Sequence, residues 1–111
     1  MKLACDRSAP AHARHALVEA FACLATPIRQ QSELIVSELV TNAVLHGSEP
    51  IVFRADRRGD RLRIEVHDGS TRMGPPTEHS RGLELIARVA SAWGVQRHAP
   101  GKTVWAEMLL D

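Results

Sequence analysis

Tyrosine is absent from this chain, and 2 tryptophans and 2 phenylalanines make up all its aromatics. Binding single-stranded nucleic acid by stacking calls for more rings than that. Positive charge is not in surplus either: 14 Lys and Arg stand against 13 Asp and Glu, a formal net charge of +1. A small nucleic-acid-binding α+β protein would have to rely on a local patch, Arg54, Arg57, Arg58, Arg61 and Arg63, which reads better as a solvated face. No apolar run approaches the roughly 20 residues of a membrane span. Met1-Lys2-Leu3-Ala4-Cys5-Asp6-Arg7 lacks the apolar stretch of a secretory leader. Cysteine is scarce: Cys5 and Cys23 lie far apart without a CxxC pair, which predicts free thiols in a reducing cytoplasm. His12, His15, His67, His79 and His98 have no metal-ligand spacing, and repeats are missing.

What remains is a chain of 111 residues, 44% hydrophobic, long enough for one domain over 1–111 with a single core. Ser8-Ala9-Pro10 reads as a helix start with Ser8 as cap, and Ala13, Leu17, Ala20, Phe21 and Leu24 recur at helical spacing up to residue 24. Thr26-Pro27 opens a second, longer helix that Gly47 ends. On it Glu38, Asn42 and His46, four apart, climb one side in a slowly turning stripe. Ile35, Val36, Leu39, Val40 and Ala43 form the apolar face beside that stripe, with Leu34 and Leu45 on its other flank. An acid and an amide set among apolar neighbours need a partner, since burying an unbonded amide or hydroxyl costs about 2–7 kcal/mol.

The period then changes. Residues 51–56 and 62–67 have strand composition, and Arg58-Gly59-Asp60 supplies a hairpin turn between them. Leu62, Ile64 and Val66 face the core; Arg63, Glu65 and His67 face away. Residues 69–81, with Gly74-Pro75-Pro76, make a loop of a length more often functional than idle. Residues 82–92 read as a third helix, and residues 93–97 and 103–109 as two closing strands joined by Pro100-Gly101-Lys102, with Trp93 and Trp105 in the core. Helices packed on one face of a mostly antiparallel sheet, a two-layer α+β sandwich, is the economical arrangement for this order.

The run from Glu38 to Gly47 resembles the asparagine box of the Bergerat-fold (GHKL) ATPases, and more closely that of their small anti-sigma-factor branch of serine/threonine kinase-like regulators. Asp68-Gly69-Ser70, Arg81-Gly82-Leu83 and Gly101-Lys102-Thr103-Val104-Trp105 match later features of that superfamily in order. The resemblance implies ATP and Mg²⁺ as ligands. Asn42 would hold Mg²⁺ through its amide oxygen, and Glu38 would orient or deprotonate the attacking water or hydroxyl. Asp68, followed by Gly69, would accept from the exocyclic amine of adenine, with Thr103 assisting at the base. Arg81 and the amides of Gly82 and Leu83, at a helix start, would hold phosphate.

Taken singly, each residue has an ordinary role as well. Glu38 suits a helix surface, Asn42 a satisfied core amide, His46 a helix terminus, Asp68-Gly69 a turn, Arg81-Gly82 a helix entrance and Thr103 a strand. Their joint order favours the nucleotide reading. The branch implies a cytoplasmic regulator that sequesters a sigma factor, phosphorylates a serine or threonine on a STAS-domain antagonist, or both, and commonly pairs as a homodimer. The first helix and the exposed parts of the second are candidate partner surfaces. Ser80 stands where a lid glycine is common and Glu84 where a small residue is, and the loop is short for a lid. These departures leave open a catalytically weak protein-binding module of the same fold.

Overall fold

The computed structural model describes residues 1–70, 84–98 and 101–110. Its elements are β1 (Lys2–Leu3), α1 (Ala9–Ala20), α2 (Thr26–His46), β2 (Ile51–Arg58), β3 (Arg61–Asp68), β4 (Ala92–His98) and β5 (Gly101–Leu109). Residues 84–89 are helical as well. The strands form one sheet in the order β1-β2-β3-β5-β4, with every neighbouring pair antiparallel. This is the α+β arrangement expected from the sequence, with two additions. A two-residue strand at the N-terminus pairs with β2, and Ala92, expected in the third helix, opens β4.

The β2–β3 hairpin follows from its turn. Arg58 pairs with Arg61, and of the two residues between them Gly59 has φ +63°. Positive φ at the first of two turn residues suits the right-handed twist of a tight hairpin, and glycine adopts it without a Cβ penalty. Along β3 the burial alternates strictly, with Leu62, Ile64, Val66 and Asp68 inward. The inward side chains of β2, β3 and β5 meet Ile35, Val36, Leu39, Val40 and Ala43 of α2. Ala9, Ala13 and Leu17 of α1 and Ile86 complete the core. Each fully buried Leu, Ile or Val contributes about 1.5–3 kcal/mol, so this face supplies most of the driving force.

Several local expectations are corrected. Ser8 makes no side-chain cap; the Asp6 carboxylate accepts from the Ser8 N–H and from its hydroxyl, and those bonds hold Asp6 below the usual carboxylate range. α1 stops at Ala20, which is exposed. α2 begins at Thr26 itself, with Ala25 in the capping position and no side-chain cap. Arg14 is not a plain solvent residue: its Nη1 donates to Ser37 Oγ at 2.9 Å and ties α1 to α2. Trp93 is on the helix side but at the sheet edge, and 36% exposed.

Trp105 lies on the other face, over Gly94, with the Arg63 guanidinium 4.3 Å from its ring centroid. That face carries no helix among the described residues, and charge organises it. Arg63 donates to Glu65 at 2.7 Å and to Glu107 at 3.0 Å, while Arg61 reaches Glu107 at 3.2 Å. Arg58 pairs with Asp56 at 3.3 Å. Three of the five hairpin arginines are thus matched by carboxylates, which weakens the case for a basic nucleic-acid patch. No helix of the described residues is long and apolar enough to cross a membrane. Cys5 and Cys23 are free thiols, as expected.

Candidate functional site

α2 places the stripe. Glu38, Asn42 and His46 are half-buried, bordered by the fully covered face of Leu39, Val40 and Ala43. Their other flank is open, since Leu34 is 38% and Leu45 67% exposed. The acid and amide therefore sit on the rim of the core, and not between two buried flanks as the sequence suggested. Among the described residues no hydrogen bond or ion pair holds either Glu38 or Asn42. Polar groups on a half-buried rim, left without protein partners, are available to a ligand.

Just past this stripe α2 ends against the sheet. Gly47 closes the helix, its N–H bonded to Ala43 O at 2.9 Å, with φ −95°. Its backbone is extended, so a left-handed cap does not explain glycine here. Space does: a Cβ at Gly47 would lie 2.6 Å from both Ala43 O and Asp68 Cγ. Gly69 serves the same junction. Its N–H donates to Ser48 O at 2.7 Å, and a Cβ there would collide with the Glu49 carbonyl.

Asp68 is 2% exposed at the inward end of β3. Its carboxylate is bonded on two sides. Ser70 N–H donates to Oδ1 at 2.8 Å, and Lys102 Nζ lies 3.1 Å from Oδ1 and 2.9 Å from Oδ2. Lys102 is itself 7% exposed and also donates to Ser70 O at 3.4 Å. A carboxylate beside the C-terminus of a helix meets the negative end of the helix dipole, and the ammonium offsets that repulsion as well as the cost of burial.

Thr103 does not share this corner with Asp68. Strand pleating puts it on the opposite face of the sheet from Asp68. It pairs with His67 across the ladder, and its Oγ1 lies 3.4 Å from His67 Nδ1 and 3.0 Å from His98 Nε2. The two imidazoles stack at 5.0 Å over Gly101, beside a cleft of about 350 Å³ that Val52, Arg54 and Glu65 also line. The residue that shares the inward corner with Asp68 is Lys102. The signal was present: Val104 is apolar and belongs to the core side, so counting back by two gives Lys102 and not Thr103. Arg81, Gly82 and Leu83, the expected phosphate contacts, lie outside the described residues, as do most of the expected loop and the start of the third helix. Glu84 is exposed at the first described position of that helix.

The corner suits a nucleotide on three counts. Asp68 offers a buried acceptor. Gly47, by lacking a Cβ, lets the end of α2 close onto Asp68, so that the rim of the helix and the acceptor meet. Asn42 and Glu38 present hard oxygens on the rim one helical turn apart. Hard oxygens are what Mg²⁺ takes from a protein when substrate phosphates supply the rest.

No curated protein matches the chain. A model of the histidine kinase-like ATPase domain matches residues 4–108, a span that contains α1, α2 and every strand pair around Asp68. By that match, the chain belongs to the histidine kinase-like ATPase domain family, a GHKL-type family of ATP-binding domains.

Proposed function

We propose that this domain binds ATP–Mg²⁺ and acts as a regulator of the anti-sigma-factor type, sequestering a sigma factor and phosphorylating a serine or threonine of a STAS-domain antagonist. The observation that carries the reading is the pair Glu38 and Asn42, half-buried on α2 with no hydrogen-bond or ion-pair partner among the described residues, next to the junction where Gly47 makes room for Asp68. Asn42 holds the magnesium through its amide oxygen, and ATP supplies the phosphoryl group to be transferred. Glu38, one turn earlier, accepts the proton of the attacking hydroxyl and aims its oxygen. Asp68 accepts from the base amine. Arg81 with the amides of Gly82 and Leu83 is assigned to the phosphates from the sequence alone. The site works in the cytoplasm, and the exposed sides of α1 and α2 are the surfaces offered to protein partners, with a homodimer as the assembled form.

Calorimetry with ATP and ADP, with and without Mg²⁺, tests the binding half. Asn42→Ala should remove the magnesium-dependent part of the affinity. Transfer of labelled phosphate to a serine in a candidate antagonist, lost in Glu38→Ala with ATP affinity kept, tests the kinase half. Glu84 favours a second reading, a nucleotide-binding module that works by contact alone. It is exposed and adds negative charge at the helix that follows the expected phosphate contacts. ATP binding with no transfer to any antagonist tried would select that reading.

A further inference from the structure

Lys102 is only 7% exposed, and both oxygens of Asp68 lie within 3.1 Å of its ammonium. A lysine brought this deep for stability alone is a poor choice, because a pair of well-packed apolar residues does as well or better. The pair has a chemical property that an apolar substitute lacks. A carboxylate only accepts hydrogen bonds and an ammonium only donates them. Side by side at the end of two paired strands, they form an acceptor next to a donor, held in a fixed order by the Asp68–Lys102 register.

Resting on the nucleotide reading above, we propose that Lys102 is a specificity residue that reads the base together with Asp68. Asp68 accepts from the 6-amino group of adenine, and Lys102 donates to the ring nitrogen beside it. A purine with a carbonyl at position 6 and a proton on the adjacent nitrogen meets this pair wrongly twice. Its oxygen faces the carboxylate and its N–H faces the ammonium. Sites that pair buried polar groups with a ligand reject an analogue lacking the match far more strongly than apolar pockets reject a change of size. Ser70 has a part in the order of the pair. Its N–H, at 2.8 Å, and the ammonium, at 3.1 Å, both engage Oδ1, while Oδ2 takes the ammonium alone at 2.9 Å and keeps a lone pair for the base.

The test is calorimetric titration of Mg-ATP and Mg-ITP into wild-type protein, Lys102→Met and Lys102→Gln, with folding checked by circular dichroism and thermal melting. Wild type should bind ATP and discriminate against ITP. Lys102→Met should weaken ATP about 10-fold or more and shrink the ATP-to-ITP ratio by a similar factor, since one of the two mismatches is gone. Lys102→Gln keeps a hydrogen bond to Asp68, so it retains the fold if the methionine variant does not. Its amide can accept from the ITP ring N–H, so the ratio should fall there too. A lysine with a structural role alone would lower the melting temperature and leave the ratio where it was, and that result overturns the proposal. So does tighter ATP binding in either variant, which would mean that the ammonium competes with the base for Asp68. Wild-type protein that binds neither nucleotide removes the nucleotide reading itself, a different failure seen before any variant is made.

Discussion

His67 and Asp68 are adjacent in the chain, as are Lys102 and Thr103, yet pleating sends each pair to two different surfaces. On the helix side Asp68 and Lys102 form a buried ion pair beside the end of α2. On the open side His67, Thr103 and His98 form a partly exposed cluster above a shallow cleft. The two faces also handle charge differently. The helix side tolerates one compensated pair within a core of aliphatic side chains. The open side spreads its charges through a network of Arg61, Arg63, Glu65 and Glu107, where solvent screens part of every interaction. The same chemistry therefore carries a high penalty for error on one face and a low one on the other.

The largest effect expected from that contrast is at Asp68. Asp68→Ala leaves the Lys102 ammonium buried without its carboxylate, and the loss of stability should be about 3–5 kcal/mol in urea denaturation. The double variant Asp68→Leu with Lys102→Met should regain most of this, because an apolar pair carries no desolvation penalty. If the double variant is no better than the single one, the corner is held by packing and not by charge. Next in size is Gly47→Ala, where the new methyl meets Ala43 O and Asp68 Cγ at 2.6 Å. Overpacking of that kind costs about 1–3 kcal/mol, and the displaced Asp68 should weaken nucleotide binding along with stability.

On the open face the corresponding break is Arg63→Met, which takes the shared partner from Glu65 and Glu107. The expected loss is about 1 kcal/mol, since these groups keep some solvent. Its pH dependence is the sharper reading. Hydrogen bonding from Arg63 holds the Glu107 carboxyl below its ordinary range. The unfolded chain therefore takes up that proton at higher pH than the folded one. The stability Glu107 contributes is complete above the ordinary glutamate range and is lost as pH falls through the lowered folded value. Arg63→Met should flatten this acid limb in a series of urea melts, and an unchanged slope would assign it to other carboxylates.

What could be read from the chain alone follows the range over which each feature is encoded. The α2 stripe, the hairpin and the inward set Leu62, Ile64 and Val66 depend on spacings within one element, and they were legible. Gly47 was legible as a helix end but not for its reason, because the atom that excludes a side chain there is Asp68, 21 positions later. The Lys2–Leu3 strand was too short to show any period and exists through its pairing with β2. Ala92 fits a helix by propensity and a strand by its pairing with Glu107, and the pairing won. Thr103 was assigned by motif, which fixes a position to within a residue or so. In a strand one residue is the difference between the two faces.

That single-residue difference yields the smallest predicted effect and the one that bears most directly on the comparison. Thr103→Val keeps the side-chain shape and removes the hydroxyl between His67 and His98. The change lies on the open face, so stability should move by no more than about 0.5 kcal/mol. ATP affinity should stay at the wild-type value, because the sheet backbone stands between this hydroxyl and Asp68. Both numbers come from one melting curve and one titration run beside Lys102→Met. A loss of ATP affinity in Thr103→Val with stability intact would return the base-assisting role to the threonine. It would also mean that the bound nucleotide is reached from the face that carries the two histidines, and the contrast between the two surfaces would have to be drawn the other way round.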